Sequence, residues 1–349
     1  MSSRITNNMM VRNYRNSLRT NLGNLSSSNS RLSTQRTFNK ASENVTGASR
    51  ALRIRKMLAD NERYCDNIET LSNRYDTADA AMRSLSGVYQ RMNDLVTRGL
   101  NGVYNEHDRA VMANEVEKLR DEALSLANIK YGDQYVFNSA GNETGAPPFS
   151  VDENGKLCYN GNTTPIDQLV PNANGKAAVN DGNGNLTAID YDGVNYLDVG
   201  LGLSENSSGA YNFDTKSVVQ ASISGIDMFG YGVGDTGMPN NFYGLFSDIS
   251  DALTSGNMDV LGTALTALED SHNHILMSLS DLGNQYNFLE DMSTQANDNK
   301  ISLQQLQNDI EAVNLSEEIM YNSQFEMAWT VSLQIGSSLL PQSIFDFLR

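Results

Sequence analysis

The chain has 349 residues, too many for one ordinary core, and it carries 42 acidic against 25 basic residues for a net charge of −17. That sign excludes whole-protein attraction to nucleic acid, and two cysteines with three histidines leave no disulfide framework and little material for His or Cys catalysis. No apolar run reaches the length of about 18 residues that a membrane span needs, and the first 25 residues lack the apolar stretch of a cleaved secretory signal.

Residues 1–45 read as a terminal helix. Val11, Tyr14, Leu18, Leu22, Leu25 and Leu32 make a thin apolar stripe among Ser, Asn and Arg. Charge is partitioned: residues 1–56 hold eleven basic residues and one acidic, Glu43, whereas residues 300–349 hold six acidic and two basic. Opposite charge at the two ends predicts that they lie near each other, or near copies of each other, in an assembly.

Residues 46–138 read as the first half of a helical bundle. From Tyr64 the apolar positions run Ile68, Leu71, Tyr75, Ala78, Met82, Leu85, Tyr89, Met92, Val96, with steps of four and three throughout. That is the pattern of a long coiled-coil helix, stopped by Gly99-Leu100-Asn101-Gly102. A second helix follows, with Met112, Val116, Leu119, Ala123 and Leu126 on one face.

Residues 139–241 change character. The stretch 141–240 holds 16 of the 27 glycines and five of the six prolines, with repeated Asn-Gly and Asp-Gly turn signals. Strands are expected at 156–159, 186–191 and 196–199, giving a β-rich insert. Residues 242–308 supply the second half of the bundle. Its helix starts near Met258 and carries Leu261, Leu265, Leu268, His272, Ile275, Leu279, Leu282, Tyr286 and Leu289, resuming at Leu303, Leu306, Ile310 and Val313. Residues 309–349 form a terminal helix with Ile319, Phe325, Trp329, Val331, Leu333, Ile335 and Leu340, running into Ile344, Phe345, Phe347 and Leu348. Exposed on a free chain this end is an aggregation liability, so both ends are expected to order fully only against neighbouring subunits.

No catalytic, cofactor or metal site is expected. His272 and His274 are two apart on one helix and point in different directions, so they do not share a metal; His272 lies in the apolar stripe as a core residue. The run 181–185 resembles part of a calcium loop but lacks its downstream Glu, and the GxGxG at 230–234 has no strand before it and no helix after it. A ligand-binding module in the insert requires a pocket with converging polar groups, and no such constellation is visible in the sequence.

Several segments together resemble one family. Leu32-Ser-Thr-Gln-Arg36 lies where bacterial axial proteins carry a Leu-Ser-Thr-Gly-Lys-like turn. Tyr104-Asn-Glu-His-Asp-Arg109 with Leu124-Ser-Leu-Ala-Asn128, then Gln134-Tyr-Val-Phe-Asn138, Ala146-Pro-Pro-Phe149 and Tyr159-Asn-Gly161, are similar to motifs of the flagellin-superfamily hook-associated proteins of the hook–filament junction. Leu282-Gly-Asn-Gln-Tyr-Asn-Phe-Leu-Glu290 and the closing Asp346-Phe-Leu-Arg349 are similar to that family's distal junction member. The sequence departs from the pattern at Gln35, where the family has Gly, at Arg36, where it has Lys, and at Ser42-Glu-Asn-Val45, where it has Ser-Asp-Asp-Pro.

The resemblance implies a mainly α fold. It comprises a long antiparallel coiled-coil bundle, a β-rich inserted outer domain and terminal helices completing a tubular assembly. It implies a structural, non-enzymatic adapter joining the flagellar hook to the filament, exported through the flagellar type III apparatus without a cleaved signal. The implied partners are copies of itself in a ring, the proximal junction protein, flagellin and an export chaperone, with no nucleic acid and no membrane. The alternative is a flagellin-like filament subunit. Two surfaces are expected to carry the role. In one, Tyr14, Leu18, Leu22, Leu25 and Leu32 pack on Val313, Trp329, Leu333 and Leu340. The other is the tail Phe345-Asp-Phe-Leu348, as the chaperone site.

Overall fold

The computed structural model describes residues 7–101, 104–138, 145–161, 163–171, 177–180, 186–188, 196–202 and 218–339. The fold is mainly helical. The helices are α1 (Asn7–Thr34), α2 (Val45–Leu100), α3 (Glu106–Ala127), α4 (Gly225–Phe229), α5 (Phe242–Ser255), α6 (Met258–Glu311) and α7 (Leu315–Leu339). The chain forms two compact units, one of residues 1–62 with 297–349 and one of residues 63–296. The divisions fall inside α2 and α6.

In the second unit α2 and α6 run antiparallel. Tyr75 donates its hydroxyl to Gln285 at 2.6 Å, the Ser86 hydroxyl lies 2.8 Å from His272 Nε2, and Gly99 lies against Leu253 and Leu261. The four-and-three stripe is the buried face of α2: Ile68, Leu71, Tyr75, Ala78, Met82, Leu85, Tyr89, Met92 and Val96 are all buried. The stripe on α6 does not lapse between Leu289 and Leu303, because Met292 and Ala296 continue it as buried residues. The helix beginning at Met258 is therefore continuous to Glu311.

The middle of the chain holds short antiparallel pairs. Strand β1 (Lys130–Tyr131) pairs with β2 (Gln134–Tyr135), and β3 (Phe149–Val151) with β4 (Leu157–Tyr159). Strands β5 (Leu169–Pro171), β6 (Ala177–Asn180) and β7 (Leu186–Ala188) form one sheet in that order, and β8 (Tyr196–Leu197) pairs with β9 (Val219–Gln220). The turn from β3 to β4 is built by Asp152. Its carboxylate accepts the amides of Asn154 and Lys156 at 2.9 and 2.7 Å, and Gly155 takes φ 75°. The expected strand at 186–191 is described only as Leu186–Ala188, and the calcium-loop-like run at 181–185 lies outside the described residues. The GxGxG segment is a loop in which Gly230 and Gly232 take positive φ. A Cβ on either would sit 2.9 Å or less from a backbone carbonyl oxygen.

His272 stacks on the buried ring of Tyr89, centroids 5.7 Å apart, and burial lowers its pKa. A histidine held neutral in the fold and free to protonate when unfolded makes the unfolded state the better proton binder below about pH 6.5. Stability of this unit therefore falls as pH drops through that value. Urea midpoints at pH 7.5 and 5.5 should differ more for the wild type than for His272→Gln; equal differences would remove His272 as the cause.

Candidate assembly surface

The sequence places small and polar residues at intervals along α1 and α7, and the first unit uses them to pair the two helices antiparallel. Tyr14 lies over Gly336, the Asn21 amide donates to Ser332 at 2.6 Å, and Asn322 donates to Asn29 at 2.8 Å. The Glu318 carboxylate accepts from Ser28 at 2.7 Å and from Arg31 at 2.8 Å. Ser28 and Glu318 are both buried, and the bond from Arg31 holds the Glu318 carboxyl below the usual carboxylate range. The opposite charges of the two chain ends thus meet within one chain, at Arg31 and Glu318.

The joints between helices are tied together as well. The Thr37 amide donates to the Glu311 carbonyl at 2.8 Å and the Val313 amide to the Gln35 carbonyl at 3.1 Å, so the α1–α2 and α6–α7 connections run side by side. Arg55 donates to both Glu311 carboxylate oxygens at 2.8 and 2.7 Å, and Arg36 lies 3.8 Å from it. In the departing Ser42–Val45 segment, Asn44 caps α2 by accepting the Gly47 amide at 2.8 Å.

Gln35 takes φ 56°, the left-handed region where the resembling turn has Gly. A side chain there costs about 1–2 kcal/mol, partly offset by the larger unfolded-state freedom of Gly. Gln35→Gly should therefore stabilise this unit by about 0.5–1 kcal/mol in chemical denaturation followed by Trp329 fluorescence. A loss of stability would show that the Gln35 side chain contributes more than the strain.

The expected interface residues divide. Tyr14, Leu18, Leu25, Leu32, Val313 and Trp329 are half-buried, whereas Leu22 and Leu333 are 49% and 47% exposed. Leu340, Phe345, Phe347 and Leu348 lie outside the described residues. Sequence reading missed the polar ladder at Ser28, Asn322 and Ser332, and the Gly336 seat for Tyr14. Their signal was the recurrence of small residues on one side of each helix. It also missed that Met320, Met327, Val331 and Ile335 stay exposed. At about 100° per residue these four project away from the α1-facing positions Glu318, Asn322, Ser332 and Gly336.

In the second unit the segments between α3 and α5 converge. Asn105 and Asp108 form a reciprocal cap at the start of α3, and the Arg109 guanidinium donates to the Tyr104 carbonyl at 3.0 Å and packs against Gly256. Asn128 at the other end of α3 pairs with the Phe149 backbone in both directions, at 2.9 and 3.0 Å. Phe137, Phe149 and Tyr159 are buried, with Phe149 in ring contact with Tyr159, Phe229 and Phe242. Tyr159 donates its hydroxyl to the Phe137 carbonyl at 2.9 Å, and Arg74 donates to the carbonyls of Tyr135 and Val136. Helices α3 and α5 pack antiparallel, the Arg120 guanidinium lying 4.8 Å over the Tyr243 ring and reaching Ser247.

Residues 5–142, covering α1, α2 and α3, match the model of the bacterial flagellin N-terminal helical region. The chain is similar to flagellins over this N-terminal helical region. Over 140 residues the chain is 29% identical to flagellar hook-associated protein 3 of Escherichia coli K12, covering 40% of this chain and 43% of that protein. Over 224 residues it is 23% identical to a flagellin of Clostridium tyrobutyricum, covering 61% and 59%. The alignments thus span roughly half the length of the curated relatives. A solved structure of a candidate flagellar hook-associated protein from Vibrio parahaemolyticus shares the fold. Its TM-score is 0.56 at 16% identity, over 77% of this chain and 100% of that one. No described helix is long and apolar enough to cross a membrane, and no group of three or more His, Cys, Asp or Glu among the described residues is placed to hold a metal.

Proposed function

We propose that this chain is the distal adapter of the hook–filament junction, assembling as a ring between the proximal junction protein and the first flagellins. The observation that carries this reading is the convergence of the junction-like motifs. Asn128, Phe137, Phe149 and Tyr159 come from separate segments and meet through hydrogen bonds and ring contacts in the second unit. The similarity to hook-associated protein 3 supports the same reading. Export through the flagellar type III apparatus without a cleaved signal, and capture of the Phe345–Leu348 tail by an export chaperone, belong to this proposal.

Assembly acts through the first unit. One chain satisfies the polar ladder between α1 and α7 but leaves Met320, Met327, Val331 and Ile335 to water. Neighbouring copies that cover these residues recover about 25 cal/mol for each Å² of apolar surface removed. Leu18→Asp, placed in the half-buried stripe of α1, is expected to abolish incorporation into flagella while the second unit stays folded. Normal motility and filament attachment in that strain would refute the surface. Pull-down of the chaperone with and without residues 340–349 tests the tail, and equal capture would reject it.

The similarity to a flagellin over the longer alignment favours a second reading, a filament subunit. Tagged protein separates the two: a single focus at each filament base supports the adapter, and label along the filament means flagellin.

A further inference from the structure

In the second unit each of the two long helices leaves one face to water, and the two faces match. On α6 the buried stripe through Leu268, Ile275, Leu282 and Leu289 leaves a seam turned away from it, Asp259, Asp270, Met277 and Asn284, all exposed. Met277 is 67% exposed, more than any other large apolar side chain of this unit among the described residues. On α2 the side opposite the buried stripe carries Ala80, Ser84, Gly87, Arg91 and Arg98, all exposed. Residues 80, 83, 84 and 87 are the corners of one hole in the sense of coiled-coil packing, and three of the four are small. A Cβ on Gly87 would meet nothing within 4 Å among the described residues, so the hole is open.

Charge divides the two faces in the same way. From Ala80 to Leu100 α2 carries Arg83, Arg91 and Arg98 against one carboxylate, Asp94, whereas from Met258 to Gln285 α6 carries Asp259, Glu269, Asp270 and Asp281 and no Lys or Arg. The Arg91 guanidinium gives Nε and Nη2 to Glu115 at 2.9 and 2.7 Å, which braces it, and it carries two further N–H groups on Nη1. The chain's own pairing of α2 with α6 supplies a scale of height. Tyr75 stands level with Gln285, Ser86 with His272 and Gly99 with Leu261. By that scale Met277 is level with the hole at Arg83, Asp270 is level with Arg91, and Asp259 lies within about one helical turn of Arg98. Copies related by rotation about a ring axis stand at one height, so knob, hole and two ion pairs come into register when the α6 face of one copy meets the α2 face of the next. Pairing α6 with α6 would set carboxylate against carboxylate. The match is therefore head to tail, the kind of contact that closes a ring.

We propose that the second units of neighbouring copies dock on each other, Met277 of one copy seated among Ala80, Arg83, Ser84 and Gly87 of the next, with Asp270 on Arg91 and Asp259 on Arg98. The proposal rests on the reading of this chain as a subunit that assembles with copies of itself, and it adds a second contact to the one made by the first unit. Disulfide trapping of the tagged full chain in flagellated cells tests it, with Ser84→Cys and Met277→Cys in one chain and copper phenanthroline as oxidant. Within one chain the two positions lie on faces turned apart, so a bond between them joins two copies. Cys65 and Cys158 are present in every arm, and the wild type sets their background. The expected result is a ladder of dimers and larger multimers that collapses on reduction, with nothing above background from either single variant. Arg98→Glu added to the pair should cut the trapped fraction about tenfold, and Asp259→Arg beside it should restore that fraction. Gly87→Leu fills the hole and should abolish trapping, while the thermal midpoint of the purified chain holds or rises because leucine is the better helix former. Monomers alone from cells whose tagged chain sits at the flagella would overturn the docking and leave the junction reading standing. A ladder that survives both Gly87→Leu and Arg98→Glu would also overturn it. Absence of the tagged wild-type chain from flagella would overturn the assembly reading and the docking with it.

Discussion

Phe149→Ala should lower the stability of the second unit by about 3–5 kcal/mol, the range for emptying a fully packed aromatic site. The Phe149 ring is buried and sits 4.9, 5.4 and 6.3 Å, centroid to centroid, from Tyr159, Phe229 and Phe242. These rings belong to a strand, a short helix and a longer helix, so the cavity left behind has walls that cannot close together. The site is also crowded by backbone, since a Cβ on Gly225 would sit 2.8 Å from the Phe149 ring and 2.7 Å from the Phe137 carbonyl oxygen. Phe149→Leu keeps much of the volume and should cost markedly less. The measurement is urea unfolding followed by far-ultraviolet dichroism beside tryptophan fluorescence. The single tryptophan, Trp329, lies in the first unit, so its transition should stay in place while the dichroism transition shifts. A shift below 1.5 kcal/mol would mean that the cluster repacks and does not hold the segments together.

Glu311→Ala should act on the other unit, moving the Trp329 transition by about 2 kcal/mol with the second unit unaffected. The carboxylate is 8% exposed and takes both of its short bonds from Arg55, with Arg36 at 3.8 Å. Arg55 is 42% exposed, so water solvates its guanidinium once the partner is gone, which keeps the loss below that of a wholly buried pair. The pairing with Arg55 lowers the Glu311 pKa, as Arg31 does for Glu318. A carboxyl whose pKa is lowered by folding contributes its full stability above about pH 4.3–5 and loses it as pH falls through the folded value. Acid titration of the wild type should therefore release the first unit's fluorescence change over that window. In Glu311→Ala the acid dependence should be reduced to the part that Glu318 supplies. An unchanged acid profile would place the proton-linked stability elsewhere.

Much of the helical organisation was legible in residue spacing. The four-and-three stripe of α2 needs no partner to be recognised, because a helix of this length repeats the same face many times and each repeat is independent testimony. His272 was legible for the same reason as a member of the matching α6 face, where it is half-buried against Tyr89 and not part of the core. The α6 stripe was harder to follow past Leu289, since Met292 and Ala296 keep the face buried with less apolar bulk than a leucine. The start of α2 at Val45 was obscured because its first turns carry Arg50, Arg53, Arg55 and Lys56 between few apolar residues.

The one-dimensional pattern by itself determined that the chain is mainly helical, that a turn-rich stretch interrupts the helices, and that the two ends carry opposite charge. Only the tertiary structure decided which groups answer each other. The Ser28–Glu318 bond spans 290 residues of sequence and the Arg55–Glu311 bond 256, and no local periodicity encodes a contact at that separation. The same holds for the strained Gln35 joint and the Asn128 clasp on Phe149. Helix and strand patterns arise from neighbours a few residues apart, whereas polar partners and cavities arise from distant segments brought together, where any of many serines or carboxylates could have been the one that meets its match.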